Sequence, residues 1–179
     1  MLYTEKNTVE AFIIQEAQRL GWKYITPEDL NRGRKDLEEP LFIEDLKRAL
    51  KKINSSVELT DADLDFVIVS LRTIPANLEG IRRFLDIFRN GLVVPLQKEG
   101  KERVLKLIDE DIENNEFIIT NQFIVEGAKS DRPDIVLLVN GIPLVLIECK
   151  SPTREEVGWT DAYKQIKRYE KEIPEIFKY

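Results

Sequence analysis

The spacing of the hydrophobic residues changes near residue 90 and separates a helical first half from a strand-rich second half. Up to that point, apolar residues recur at three- and four-residue intervals, a pattern typical of amphipathic helices. The pattern predicts helices over 5–20, 41–53, 61–74 and 77–89, with Thr60 as an N-cap and Gly21, Pro75 and Gly91 at helix ends. The polar segment 26–40 has no such period, and we predict a connector there.

Runs rich in β-branched and aromatic residues dominate the second half and predict strands. These runs are LVVPLQ and RVLKLI around the turn KEGK, then EFIITNQFIV (116–125), DIVLLV (134–139) and PLVLIEC (143–149). The last two flank Asn140-Gly141, a dipeptide typical of tight hairpins, and their apolar character favours a sheet covered on both faces. A final helix over 160–173, with Thr160 as its N-cap, ends before Pro174.

This order of elements predicts one α+β or mixed α/β domain over 1–179. We expect a helical insertion at about 41–90 and a core formed by 1–21 and 91–173. A chain of 179 residues with 42% hydrophobic and 34% charged residues is long enough to bury a sizeable core. It has no apolar run of membrane-spanning length and no signal peptide, so we expect a cytoplasmic protein without a membrane partner.

Composition also limits the chemistry. The chain contains no histidine, which excludes Ser-His and Cys-His triads and histidine metal motifs. Its single cysteine, Cys149, excludes an internal disulfide and a thiolate zinc cluster. Catalysis must therefore use carboxylates, lysine, tyrosine or a bound metal ion. The net charge of −6 argues against DNA binding through the overall charge of the protein. A local positive patch could still contact DNA.

Three charged residues lie toward the ends of the two most apolar runs, in RPDIVLLVNGIPLVLIECKSP (132–152). Glu148 and Lys150 are two residues apart and therefore point to the same face of a strand. With a two-residue turn, Asp134 would lie opposite Ile147 and face away from Glu148. We therefore expect an odd-length loop or a bulge, which would bring both acids to one face.

Two carboxylates side by side repel each other unless one is protonated or a cation lies between them. Mg²⁺ suits such a pair because it needs only one or two carboxylates, and the backbone carbonyl of Cys149 could serve as a further ligand. Lys150 could hold a water molecule or neutralise a developing phosphate charge, as phosphodiester hydrolysis requires. The alternative is a Lys150–Glu148 ion pair at a strand end, with Asp134 serving the turn after Pro133.

These residues resemble a nuclease signature. The Pro-Asp and Glu-Cys-Lys segments are similar to the PD-(D/E)xK superfamily, and Gln165 to Tyr169 match its QxxxY helix motif. The longer text NNEFIITNQFIVEG…RPDIVLLVNGIPLVLIECKSP, with ALKKIN, resembles the N-terminal nuclease domain of the type I restriction enzyme R (motor) subunit. The resemblance implies a mixed central sheet flanked by helices.

The resemblance also implies roles for further residues. Glu10, on the first helix, would be a metal or metal-water ligand, although it could instead form a capping box with Asn7. Gln165 and Tyr169 would orient DNA or support the active site, although Tyr169 could be a core aromatic residue. Residues that could contact phosphates, or merely form a solvated face, are Lys164, Lys167, Arg168, Ser151, Thr153 and Arg154.

The implied activity is that of a Mg²⁺-dependent endonuclease, with Mn²⁺ as a surrogate, that cuts double-stranded DNA without sequence preference of its own. Its partners would be the motor domains of the same subunit and the methyltransferase and specificity subunits. The chain has no GxxxxGK[ST] phosphate loop, so ATP would belong to motor domains outside it, and we expect an N-terminal fragment of a longer subunit. The alternatives are a repair nuclease or Holliday junction resolvase, and a non-catalytic docking domain.

Overall fold

The computed structural model describes residues 9–34, 36–150 and 158–179, without the side chains of 31–33. The chain divides into two compact units. The sheet unit comprises Met1–Pro40, Phe117–Leu138 and Pro143–Ile176. The helical unit comprises Leu41–Glu116, Val139–Ile142 and Phe177–Tyr179.

Six α-helices lie in the described ranges. They are α1 (Ala11–Arg19), α2 (Pro27–Gly33), α3 (Ile43–Ile53), α4 (Asp61–Arg72), α5 (Leu78–Asn90) and α6 (Trp159–Glu172). None of them combines the length and apolar content that a membrane span requires. Short 3₁₀ helices occupy Ile112–Asn114 and Pro174–Phe177.

Eight strands lie in the same ranges. They are β1 (Lys23–Tyr24), β2 (Leu92–Leu96), β3 (Lys101–Leu105), β4 (Phe117–Asn121), β5 (Val125–Glu126), β6 (Ser130–Asp131), β7 (Ile135–Val139) and β8 (Ile142–Ile147). The central sheet has the order β1-β4-β7-β8, while β2-β3 and β5-β6 form separate antiparallel pairs. The central sheet is mixed, because β1 and β4 are parallel whereas a two-residue turn joins β7 to β8. The predicted mixed α/β class is therefore confirmed.

The core of the sheet unit lies between α1 and the central sheet. Its buried members are Ala17, Ile119, Ile135 and Cys149, and the partly buried Ile13 and Ile14 of α1 pack against them. Of the apolar residues whose spacing predicted the first helix, Ile13 and Ala17 lie in this core, whereas Phe12 and Leu20 are exposed. Gly21, with a φ of 91°, lies just beyond the helix end. The short β1 and α2 were not predicted, because a strand of two residues and a helix of seven leave no readable period.

The helical unit has its own apolar core. Its fully buried residues include Leu46, Leu50, Leu64, Leu71 and Phe84. The predicted cap is confirmed at the start of α4: Asp63 N donates to Thr60 Oγ1 at 3.2 Å and Thr60 N donates to Asp63 Oδ2 at 2.8 Å.

This unit extends beyond the expected insertion of 41–90, since 92–116 also belong to it. One physical reason is Asn54, whose side chain donates to Lys106 O at 3.0 Å and accepts from Lys106 N at 2.9 Å. A buried side-chain amide that both donates to and accepts from one backbone residue takes the place of the hydrogen bonds that a neighbouring strand would make.

Two local expectations were wrong. Helix α6 begins at Trp159, so Thr160 is not its N-cap; instead Gly158 N donates to Asp161 Oδ2 at 3.3 Å. The hairpin has a two-residue turn rather than an odd-length loop, with φ values of 53° at Asn140 and 79° at Gly141. A Cβ atom at Gly141 would lie 2.6 Å from Phe42 O, so glycine is required there by space as well as by backbone angle.

Candidate active site

Asp134 and Glu148 lie in one site although the turn of their hairpin is even. Asp134 precedes the first residue of β7 and Glu148 follows the last residue of β8. Outside the paired strands, the alternation of faces no longer fixes where a side chain points. Asp134 Oδ2 accepts a hydrogen bond from Cys149 N at 2.8 Å, which holds its carboxylate beside the Glu148 segment.

The electrostatics of Glu148 reflect this proximity. Burial raises the pKa of its carboxyl, and the charge of Asp134 and a hydrogen bond between the two carboxyl groups raise it further; Lys150 opposes them. The resulting pKa is about 7, against an ordinary value of 4.5. In the absence of a metal ion, the Glu148 carboxyl is therefore about half protonated near neutral pH.

Glu148 and three other side chains form a closed ring of hydrogen bonds. Lys150 Nζ donates to Glu148 Oε1 at 2.9 Å and to Gln165 Oε1 at 2.8 Å. Gln165 Nε2 donates to Tyr169 Oη at 2.6 Å, and Tyr169 Oη donates to Glu148 Oε2 at 3.3 Å. Gln165 and Tyr169 reach one site because they lie four residues apart on α6.

Tyr169 is both a core residue and a site residue, so the two interpretations of it are compatible. It is 1% exposed. Burial and the nearby charges of Glu148 and Asp134 raise the pKa of its phenol to about 12, with Gln165 opposing. The phenol therefore keeps its proton and remains a hydrogen-bond donor to Glu148.

Glu10 also belongs to this site, where the side chain of Gln122 connects it to Asp134. It immediately precedes α1 with helical backbone angles and is 2% exposed. Its carboxylate accepts from Asn121 Nδ2 at 3.0 Å and from Gln122 Nε2 at 3.1 Å. Gln122 Nε2 also lies 3.3 Å from Asp134 Oδ1, so one amide bridges the two acids. Asn7, the alternative capping partner, lies outside the described residues.

Sequence reasoning missed Asn121, Gln122 and Tyr24. Asn121 ends β4 and Gln122 follows it, yet both fell within the single long strand predicted over 116–125. Tyr24 donates to Asn121 Oδ1 at 2.9 Å and so orients the amide that faces Glu10. The available signal was a polar pair directly after a buried run, the same signal that selected Glu148 and Lys150.

Three cations of α6, which the sequence suggested as phosphate contacts, do not join the ring, and nearby acids pair with them. Lys164 contacts Asp161 at 3.6 Å, and Lys167 contacts Glu170 at 2.6 Å. Arg168 donates to Asp131 at 2.9 Å. The surface of this helix is therefore less positive than its sequence suggests.

The other suggested phosphate contacts, Ser151, Thr153 and Arg154, lie outside the described residues.

The carboxylates of this site could bind one hard cation, that is, an ion that prefers oxygen ligands. In the described part of the chain, they do not form a preformed cage of several acids. Within the described ranges, no three acidic or cysteine side chains are grouped in a way that could hold a metal ion. Asp134 and Glu148 are nevertheless close enough to raise the pKa of Glu148, and a divalent ion needs only one or two carboxylates. The Glu10 carboxylate contacts the Gln122 amide, which in turn contacts Asp134, so Glu10 can support Asp134 through this amide.

Comparison with known proteins identifies the family of this chain. The profile of the family described as Type I restriction enzyme R protein N terminus matches residues 2–179. The chain is 32% identical to the type I restriction enzyme HindI endonuclease subunit of Haemophilus influenzae, over 97% of this chain and 17% of that protein. It is 31% identical to the putative type I restriction enzyme MjaIXP endonuclease subunit of Methanocaldococcus jannaschii, over 98% of this chain and 18% of that protein.

An Escherichia coli relative, the EcoprrI endonuclease subunit, is 27% identical over 95% of this chain and 50% of its own length. The chain thus spans about a sixth of the first two relatives and half of the third. Because the family profile matches nearly every residue, the chain belongs to the family of type I restriction enzyme R protein N-terminal regions.

Proposed function

We propose that this chain is a metal-dependent endonuclease domain of a type I restriction system, of the PD-(D/E)xK type with a QxxxY helix. Its substrate is double-stranded DNA, which it hydrolyses without sequence preference of its own. The observation that carries the proposal is the convergence of Asp134, Glu148 and Lys150 at the end of a buried sheet. Relatives named as endonuclease subunits of type I restriction enzymes support the same conclusion.

Each residue of the site has a role in this proposal. Asp134 and Glu148 hold a Mg²⁺ ion, with the carbonyl of Cys149 as a further ligand. A bound ion would polarise the phosphodiester and make a water molecule more acidic. The Lys150 ammonium, held by Glu148 and Gln165, positions the attacking water and offsets negative charge that develops on the phosphate.

Glu10, Asn121 and Gln122 support the site from the side of α1. They fix the orientation of Asp134 through the bridging amide. Gln165 and Tyr169 perform the same task for Lys150 and Glu148. Target choice, translocation and ATP hydrolysis belong to other domains and to the methyltransferase and specificity subunits.

Metal binding tests the proposal without requiring cleavage. Mn²⁺, as a surrogate for Mg²⁺, is titrated by calorimetry into the wild type, Glu148→Ala and the control Glu110→Ala. The Glu110 side chain is 94% exposed and lies in the helical unit. We expect saturable binding in the wild type and the control, and its loss in Glu148→Ala. Equal binding by all three proteins would contradict the proposal.

A docking role is the second candidate, and one observation favours it. The helical unit exposes Phe66 (42%) and Val69 (54%), which lie three residues apart on α4. Because α4 buries its opposite side, these two side chains form an apolar patch on its exposed side, and contiguous exposed apolar patches mark contact surfaces. Binding of purified methyltransferase and specificity subunits that is lost in Phe66→Ser but kept in Asp134→Ala would establish docking as a role of its own.

A further inference from the structure

A cleft of about 460 Å³ opens beside the candidate active site, within the sheet unit. Its lining includes Asp134, Gln165 and Tyr169 of that site. Its lining also includes Ser130, Asp131, Arg132 and Arg168. A ligand in this cleft would therefore meet residues of the acidic site, the Asp131 carboxylate and two arginines.

The two arginines differ in their bonding. Arg168 donates to Asp131 at 2.9 Å, contacts Glu172 at 3.4 Å and lies over the Tyr169 ring at 5.2 Å. Arg132 is exposed and forms neither an ion pair nor a side-chain hydrogen bond with any residue in the part of the chain that the structure describes. Arg132 is therefore the arginine of this cleft whose charge no described acid pairs with.

The local backbone places Arg132 beside the acid. Pro133 has a fixed φ, and its ring keeps the preceding residue out of the helical region, so Arg132 is held extended. Arg132 and Asp134, two residues apart, both line the cleft. Two extended residues span roughly 6.6 Å. A DNA strand whose reacting phosphate lies at Asp134 would therefore bring a neighbouring phosphate within reach of the Arg132 side chain.

The charge balance of the cleft also favours an anion at Arg132. Asp131, the acid adjacent to Arg132, already accepts from Arg168. The positive charge of Arg132 is therefore not cancelled by its neighbour in sequence. A guanidinium with free donors binds a phosphate through two parallel hydrogen bonds, which a lysine cannot reproduce.

We propose that this cleft binds a phosphodiester group of the DNA strand, one or two nucleotides from the bond that is cut, with Arg132 as its principal contact. The hydroxyl of Ser130 offers a further donor. This proposal rests on the proposed nuclease function and names a binding site for its substrate. Arg132 acts in binding and positioning, whereas Asp134, Glu148 and Lys150 act at the reacting phosphate.

Equilibrium binding of a fluorescent DNA duplex tests the proposal. The wild-type chain, Arg132→Ala, Arg132→Lys and the control Arg83→Ala are compared over a range of salt concentrations, in EDTA so that no cleavage occurs. Arg83 is also exposed and lies on α5 of the helical unit. We expect Arg132→Ala to raise Kd roughly fivefold or more and to lower the slope of log Kd against log salt by about one.

The remaining variants make the outcome specific. Arg132→Lys should keep the slope of log Kd against log salt but bind more weakly than the wild type. It retains the positive charge but loses the paired N–H donors of the guanidinium. Arg83→Ala should bind as the wild type does. Equal affinity and equal slope in Arg132→Ala and the wild type would overturn the proposal, as would a wild type that binds no duplex in either EDTA or Mn²⁺.

Inorganic phosphate, titrated separately, distinguishes the two sources of a phosphate group. Phosphate binding that requires Arg132, without any duplex binding, would overturn the assignment to a DNA strand. Failure of this proposal is also separable from failure of the nuclease function. If Glu148→Ala abolishes Mn²⁺ binding while Arg132→Ala binds duplex normally, the function stands and only the cleft assignment falls.

Discussion

The ammonium group of Lys150 lies 2.9 Å from Oε1 of Glu148, whose side chain is only 2% exposed. A buried carboxylate this close to a cation depends on it, because an unpaired charge in the interior costs several kcal/mol. In the proposed reaction the same ammonium positions water and offsets charge on the phosphate. The pair therefore links stability to catalysis.

Replacement of this ammonium should abolish cleavage and also lower the free energy of unfolding, because Glu148 loses its cationic partner. We expect Lys150→Met to reduce the single-turnover cleavage rate of the complete restriction complex by about a hundredfold or more. Lys51→Met is the matched control, since the Lys51 side chain is 55% exposed, lies on α3 of the helical unit and pairs with Asp61 at 3.8 Å. Similar rates for the two variants would exclude a catalytic role for Lys150.

The raised pKa of Glu148 predicts how the stability of the metal-free protein depends on pH. With a folded pKa of about 7 and an ordinary value of 4.5, the folded state binds this proton more tightly than the unfolded state. The free energy of unfolding should therefore fall as the pH rises between these two values. Urea unfolding at about pH 5 and about pH 8 measures this change.

Glu148→Gln should weaken this pH dependence, since it removes the titrating group. Glu110→Gln should leave it as in the wild type. Added Mn²⁺ should raise the stability of the wild type most at the higher pH, where both carboxylates are charged. A Glu148→Gln variant whose stability falls as steeply as that of the wild type would show that another group is responsible.

Gln122 combines an amide bridge with an unfavourable backbone angle, and two substitutions separate these effects. Its φ is 52°, and its amide serves both Glu10 and Asp134. Gln122→Ala loses the bridge and keeps the strain, so we expect a loss of about 1–3 kcal/mol. Gln122→Gly loses the bridge but relieves the strain, and should be more stable than Gln122→Ala by about 1 kcal/mol. Equal free energies of unfolding for these two variants in urea would show that the backbone angle at Gln122 is not strained.

Asn140 should contribute more to stability than its position in a hairpin turn suggests. It is fully buried, its side chain donates to Leu107 O and Asn115 Oδ1 at 2.9 Å, and it accepts from Glu116 N at 2.8 Å. Asn140→Gly keeps the positive φ but removes these bonds, so we expect a loss of about 3 kcal/mol. A loss below about 1 kcal/mol in urea unfolding would show that water replaces the side chain.

The elements that could be predicted from the sequence are those whose burial is periodic. Helices α3 to α6 and strands β7 and β8 were predicted within a few residues, because each buries one face or a whole run. Strand β1 and helix α2 were missed, because they are held by contacts remote in sequence. An example is the parallel pairing of Lys23 with Ile118.

The site was predictable in its members but not in its connections. Asp134, Glu148 and Lys150 stand out as charges next to apolar runs, and the structure brings them together. The expectation of an odd-length loop was wrong because it assumed that both acids lie within the paired strands. The position of Gln122 after a buried run was a signal in the sequence, but its role as a bridge was not predictable, because it depends on a left-handed backbone angle that the sequence does not specify.

The ring formed by Lys150, Gln165, Tyr169 and Glu148 restricts how this sequence can diverge. Lys150 can only donate and Glu148, when ionised, can only accept, so the two intermediate residues must each do both. A glutamate at 165 would accept from the lysine but could not donate to the phenol, and a phenylalanine at 169 would interrupt the circuit. Viable descendants of this chain should therefore replace positions 165 and 169 together, as a compensating pair.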